Sequence, residues 1–342
     1  MAFLVCFFVA LPNYIVDPFW CFQHSILFGR YQTMFDERQQ KTNYLAFREV
    51  DFDTVILGNS RVTYMDPRNV PGRAFNYAVS SMQLYEYLPY LQFVADRSAS
   101  PINTIILGMG FTQTSLNKHL SYDSPEKYIS RATSAGFRYK SLLNIDLLRH
   151  SIASIRRELA GNFHDAYIRE GRDILSKQMK LPLPDALRHS AVKEQLSFYR
   201  THVYSKDFKY LDYSLVYTEL KRAFPSSRFL VFTTPVSAHL LNLLVEQGLF
   251  DDYTRWITDL VEVFGEVWNF MFYNEITVDD VNYKDAHHYS PQVCDLITRK
   301  IYNISKDIGI IFNDFGVRVT HENLNEHLHF LRENFFQVRT TQ

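Results

Sequence analysis

Three residues near opposite ends of the chain have the types that nucleophilic chemistry needs. Ser60 lies in "DTVILGNSRVTYMDP" (53–67), where a run of apolar, β-branched residues stops at Gly58 and the serine follows between Asn59 and Arg61. A sharp turn at the end of a strand would expose its hydroxyl and place backbone N–H groups beside it. A serine attacks nothing without a base. "NYKDAHHYSP" (282–291) offers one, because Asp285 and His288 are separated by two residues. One turn can present both, so that the carboxylate fixes the imidazole tautomer while the other ring nitrogen faces a serine. Each fragment also has a plainer reading: Ser60 caps a helix, and Asp285 with His287 and His288 forms a surface loop, or a metal site short of ligands. Taken together, in the chain order Ser then Asp-x-x-His, they suggest covalent acyl chemistry.

Such a group works only if a sheet delivers it to one place. "TVILG" (54–58), "AFNYAV" (74–79), "TIILG" (104–108) and "RFLVFTTP" (228–235) are short, continuously apolar and closed by Gly, Ser or Pro, as strands covered on both faces are. Residues 82–97 and 239–264 carry apolar residues at helical spacing,. Strands alternating with helices predict an α/β fold, a three-layer α/β/α sandwich with a mostly parallel sheet. In such sheets ligands sit at the carboxyl ends of the strands. Between the third and fourth strands, residues 111–224 are too many for a simple crossover and read as a helical insertion, with helices over 144–161 and 212–224. Basic residues outnumber acids there, as in "RHSIASIRREL" and "SKQMK". That segment is either a solvated cap or one that steers an anionic polymer or lipid headgroup.

With 342 residues, 46% of them hydrophobic, the chain can bury a large core,. The formal net charge of −1 gives no general attraction to nucleic acid,. Cys6, Cys21 and Cys294 have no metal or redox spacing,. Dinucleotide, phosphate-loop and zinc patterns are absent, so neither cofactor nor metal is expected. "MAFLVCFFVALPNYIV" (1–16) is almost wholly apolar and uncharged, yet shorter than the roughly 20 residues that cross a bilayer. A membrane anchor, a signal peptide and a buried first helix compete for it. A signal peptide would have a basic start and a small-residue cleavage site, and neither is seen.

"GNSR" at the first strand, "NYAVSS" (76–81) at the second and the terminal "DAHHYSP" (285–291) resemble the first, second and last blocks of the SGNH (GDSL-like) hydrolase superfamily. Within it the chain is most similar to membrane-anchored envelope proteins of the alginate O-acetylation and teichoic acid D-alanylation types. The resemblance covers residues 53–301 and leaves the insertion unmatched. It implies Ser60 as nucleophile, Asp285 as orienting acid and His288 as base. It also implies an amino-terminal anchor over residues 1–20, a juxtamembrane linker over 21–52, the domain over 53–310 and a helical tail over 311–342. The family's second block follows an asparagine, here Asn76, and donates a glycine N–H to the oxyanion, for which Ser81 stands here, so the resemblance makes Ser81, Asn76, Asn59, Arg61 and Gly110 the oxyanion or substrate-binding positions. Its third block supplies an asparagine, and here Gly110 falls in that place. Loss of one oxyanion donor costs about 10²–10³ in rate. Asn59, Arg61, Thr112 and Gln113 are the candidates to fill the gap, and the gap favours transfer over general hydrolysis.

Arg61 either pairs with an acid such as Asp66 and holds the turn, or binds an anionic substrate group. The resulting expectation is an extracytoplasmic, membrane-anchored acyltransferase or esterase of envelope or secreted polysaccharide. Its partners would be an acyl donor, a carbohydrate acceptor and a multispanning membrane acyltransferase. A secreted esterase or lipase and a non-catalytic envelope scaffold are the alternatives.

Overall fold

The computed structural model describes residues 2–24, 28–116, 122–170, 173–304 and 314–337. The remaining parts of the expected anchor, linker, insertion, domain end and tail lie outside the described residues. Along the chain, α1 (Ala2–Val16) is followed by β1 (Tyr31–Gln32) and α2 (Glu37–Ala46). Next come β2 (Thr54–Gly58), β3 (Ala74–Asn76), α3 (Tyr87–Arg97) and β4 (Thr104–Met109). Residues 111–224 contribute α4 (Pro125–Thr133), α5 (Phe137–Lys140), α6 (Ile145–Leu159), β5 (Ala166–Glu170), β6 (Asp173–Gln178), α7 (Asp185–Phe198) and α8 (Ser214–Ala223). The chain continues through β7 (Arg228–Thr233), α9 (Ala238–Glu246), α10 (Phe250–Phe264), β8 (Glu266–Asn269), α11 (Pro291–Ile301), β9 (Val317–Thr320) and α12 (Leu324–Gln337).

The main sheet has the order β3-β2-β4-β7-β8-β9, parallel except for β9, which runs against β8. Successive strand residues point to opposite faces. Val55, Leu57, Ile105 and Leu107 therefore join one core layer, with α3, α9 and α10, while Ile56, Ile106, Leu230 and Phe232 join the other, under α11. Both faces are covered, and the apolar runs are continuous for that reason. The fold is the expected three-layer α/β/α sandwich. Glycine ends β2 and stands one residue before the end of β4 because Val62 lies across both: a Cβ on Gly58 or Gly108 would come within 2.4 or 2.3 Å of its Cγ2.

Several local expectations differ from what is seen. The insertion is not wholly helical, because β5 and β6 form an antiparallel hairpin that joins β1 in a second sheet, β1-β5-β6. Its strands carry Arg169 and Lys177 on buried positions, which hides the apolar alternation that marks a strand. Residues 239–264 are two helices, broken at Gln247 and Gly248. The carboxyl-terminal segment holds the edge strand β9 as well as α12.

The region expected as a linker holds α2, whose residues from Glu37 to Leu45 are all buried. Its polar side chains are buried with backbone and side-chain partners, among them Glu86 for Arg38 and Tyr77 for Thr42. The inner face of α1 is docked as well. Asn13 donates to the carbonyls of Leu142 (2.9 Å) and Asn144 (3.0 Å) and accepts from Ser151 Oγ (2.9 Å), while Leu4, Phe7, Phe8 and Leu11 are exposed. Among the described residues no helix is long and apolar enough to cross a membrane.

Candidate active site

The strand β2 ends at Gly58, and the chain turns at once into a single 3₁₀ turn, Val62–Tyr64. The Ser60 hydroxyl caps nothing. It lies 2.9 Å from His288 Nε2, across 228 residues of sequence. His288 Nδ1 in turn lies 2.7 Å from Asp285 Oδ2. With Nδ1–H donating to the carboxylate, Nε2 is left to accept from Ser60.

The loop carrying Asp285 and His288 is fixed from within. Asp285 Oδ1 accepts from the backbone N–H groups of His287 and His288, each at 2.9 Å. Lys284 N–H donates to His288 O at 2.9 Å, and Ser237 reaches across to bind Ala286 O through both its N–H and its hydroxyl, each at 3.0 Å. Ser237 thus ties α9 to this loop instead of capping that helix with its side chain. Ser290 starts α11 by accepting from Val293 N–H,. Burial pushes the Asp285 carboxyl upward, but His287, His288 and the His287 backbone donor outweigh it and hold it well below the usual carboxylate range,.

His287 sits beside the base, with its Nε2 3.2 Å from His288 Nε2. Asp285, His287 and His288 together have the donor types of a metal site. Both oxygens of Asp285 already accept hydrogen bonds from the histidine ring and the backbone, and among the described residues no fourth donor joins the three.

A cavity of about 320 Å³ opens over Ser60. Asn59, Ser60, Arg61, Ser80, Ser81 and both histidines form its sheet side, and Lys177, Gln195, Phe198, Tyr199 and Val203 of the insertion form the other. Ser81 has φ +54°, a left-handed conformation that favours glycine. Its backbone N–H and that of Ser60 have no partner among the described residues.

The loop bearing Ser81 is clamped by α2. Glu37 accepts from Ser80 N–H at 2.6 Å, Lys41 Nζ donates to Asn76 O (2.8 Å) and Ala78 O (2.6 Å), and Arg38 donates to Ser80 O (3.1 Å) while pairing with Glu86 at 2.7 Å. Burial, opposed by Glu37, lowers the Lys41 pKa to about 7.

Two residues expected at the oxyanion are placed elsewhere. Asn76 is a brace: its amide donates to Val62 O and Met65 O, both at 2.9 Å, and it does not line the cavity. Gly110 offers no donor, because its N–H is bound to Gln113 Oε1 at 2.9 Å. Arg61 does not pair with Asp66, which binds Arg68. It lies 2% exposed at the cavity and donates to Thr234 Oγ1 (2.8 Å) and Thr112 Oγ1 (3.1 Å).

Lys177, Gln195, Phe198, Tyr199 and Val203 have no signal in the sequence beyond the basic "SKQMK". In the α2 clamp, Glu37, Arg38 and Lys41 belong to the segment expected as a juxtamembrane linker. Lys177 and Lys284 flank Asp165, which also accepts from Tyr64 at 2.9 Å. Burial would raise Asp165, but the two lysines and the tyrosine outweigh it and lower its pKa to about 2. Its stabilising contribution is therefore complete above the unfolded value of 3.8 and disappears as pH falls toward 2,. Asp165→Asn should be less stable than wild type at pH 6, and the two should converge in thermal unfolding near pH 2. A gap that persists at the acid end would show that the ion pairs contribute nothing. The chain matches no protein-family model and no curated protein.

Proposed function

We propose that the chain is a serine-dependent acyltransferase or esterase of the SGNH type. The observation that carries this reading is the hydrogen-bonded line from Ser60 through His288 to Asp285, at 2.9 and 2.7 Å, opening into a cavity. In the reaction Ser60 Oγ adds to the carbonyl carbon of an acyl ester or thioester, and His288 Nε2 takes the hydroxyl proton. Asp285 holds the imidazolium that results. Collapse breaks the bond to the leaving group, which takes the proton from His288 and departs. A carbohydrate hydroxyl or water then gives its proton to His288, attacks the acyl-serine and releases Ser60. The cavity volume suits a small acyl group together with one sugar-sized acceptor.

An envelope or secreted polysaccharide as acceptor, an extracytoplasmic setting, anchoring to a membrane and a multispanning acyltransferase as partner belong to this proposal through the resemblance. The decisive experiment is reaction of the full chain with a fluorophosphonate. Wild type should be labelled at Ser60, and Ser60→Ala should not be labelled. A folded wild-type protein that takes no label would instead favour the scaffold reading.

A further inference from the structure

Among the described residues, the Ser60 end of the cavity holds a hydrogen-bond donor with no acceptor. Asn59 is 3% exposed and lines the cavity beside Ser60, and its Nδ2 is buried with no partner among those residues. Its Oδ1 accepts from Arg61 N–H at 3.2 Å, which fixes the side chain in place. Buried polar groups are nearly always paired. An unpaired one next to a nucleophile implies an acceptor that arrives with the substrate.

The other candidates near the end of β4 each have at least one partner already. Gln113 accepts from Gly110 N–H and donates to Met82 O and Tyr87 Oη. Thr112 Oγ1 accepts from Arg61, and the Arg61 guanidinium is divided between Thr112 and Thr234. Glycine at 110 is what makes room for the amide. A Cβ there would come within 2.8 Å of Asn59 Nδ2 and 3.1 Å of Arg61 Nη2. Gly110 and Asn59 are a matched pair, with the side chain of one occupying space that the other leaves open.

We propose that Asn59 is a catalytic residue whose Nδ2–H, with the backbone N–H groups of Ser60 and Ser81, holds the oxyanion formed on the substrate. This rests on the serine reading above. When Ser60 adds to the carbonyl, the π electrons move onto oxygen, the serine proton passes to His288, and Asn59 donates a hydrogen bond without giving up its proton. Because the amide is already desolvated and fixed, it reorganises little as the charge develops.

The test compares full-length wild type, Asn59→Ala and Asn59→Leu, the last keeping the shape without the donor. Both variants should lose about 10²–10³ in kcat for p-nitrophenyl acetate and in fluorophosphonate labelling rate. KM should stay within about threefold. The melting temperature of the leucine variant should change little, since it removes the unsatisfied amide N–H but leaves the Arg61 N–H without its acceptor,. Leucine at 59 that keeps kcat within about threefold, or acts through KM alone, overturns the proposal while leaving the serine reading intact. A folded wild type that takes no label at Ser60 overturns both.

Discussion

Alanine at position 288 should lower ester turnover by about 10⁴–10⁶-fold, whereas alanine at 287 should cost no more than about tenfold. The two histidines are adjacent in sequence and only 4.0 Å apart between ring centres, so residue type alone cannot rank them. Their partners can. His288 is gripped at Nδ1 by Asp285 and meets Ser60 at Nε2, whereas His287 contacts the base through Nε2 and packs its ring 5.4 Å from Tyr199. Removing His288 takes away the proton acceptor. Loss of His287 removes one neighbour of that acceptor and one wall of the cavity. The check is kcat/KM for a small aryl ester in both variants, with circular dichroism to establish folding. The reverse order of effects would mean that His287 is the base and that the Asp285 contact is structural.

Arg169→Ala should destabilise the protein by about 3–5 kcal/mol. Its guanidinium is fully buried in β5 and lies 3.0 Å from Asp17 Oδ2, with a second nitrogen 3.1 Å from His24 O. Asp17 also accepts from the N–H groups of Cys21 (2.7 Å) and Phe22 (3.1 Å). Burial already pushes the Asp17 pKa up against the pull of Arg169. Without the arginine the carboxyl must either stay charged and uncompensated or take a proton, and both cost stability. Arg169→Met combined with Asp17→Asn should recover part of the loss, because neither buried charge is then left alone. Urea unfolding of the full chain reads both. A loss below about 1 kcal/mol for Arg169→Ala would place this contact among weak, solvent-screened pairs and argue that the segment after α1 is not docked on the hairpin.

The strands that carry Ser60 were readable because they are buried on both faces, so composition alone marks them. The Asp-x-x-His spacing was readable because a single turn sets it. The α2 clamp was hidden for the opposite reason. Glu37, Arg38 and Lys41 look like a solvated face until their partners are known, and those partners are backbone groups near Ser80, some forty residues away in sequence. The motif places Asn76 at the oxyanion, yet its amide is engaged by the 3₁₀ turn after Ser60. The hairpin β5–β6 was lost among basic residues whose burial depends on Asp17, Glu37 and Asp165 elsewhere in the chain.

By itself the sequence determined the layered α/β architecture, the serine at the end of a strand and the local pairing of Asp285 with His288. All of these follow from periodicity or from spacing within one turn. Tertiary structure alone decided that Ser60 comes within hydrogen-bond reach of His288, that the insertion forms one side of the cavity, and that the Asn59 amide, where Gly110 leaves space, has no partner among the described residues. Each of those depends on contacts between segments far apart in the chain, and a donor's availability is fixed by which distant group has already taken it.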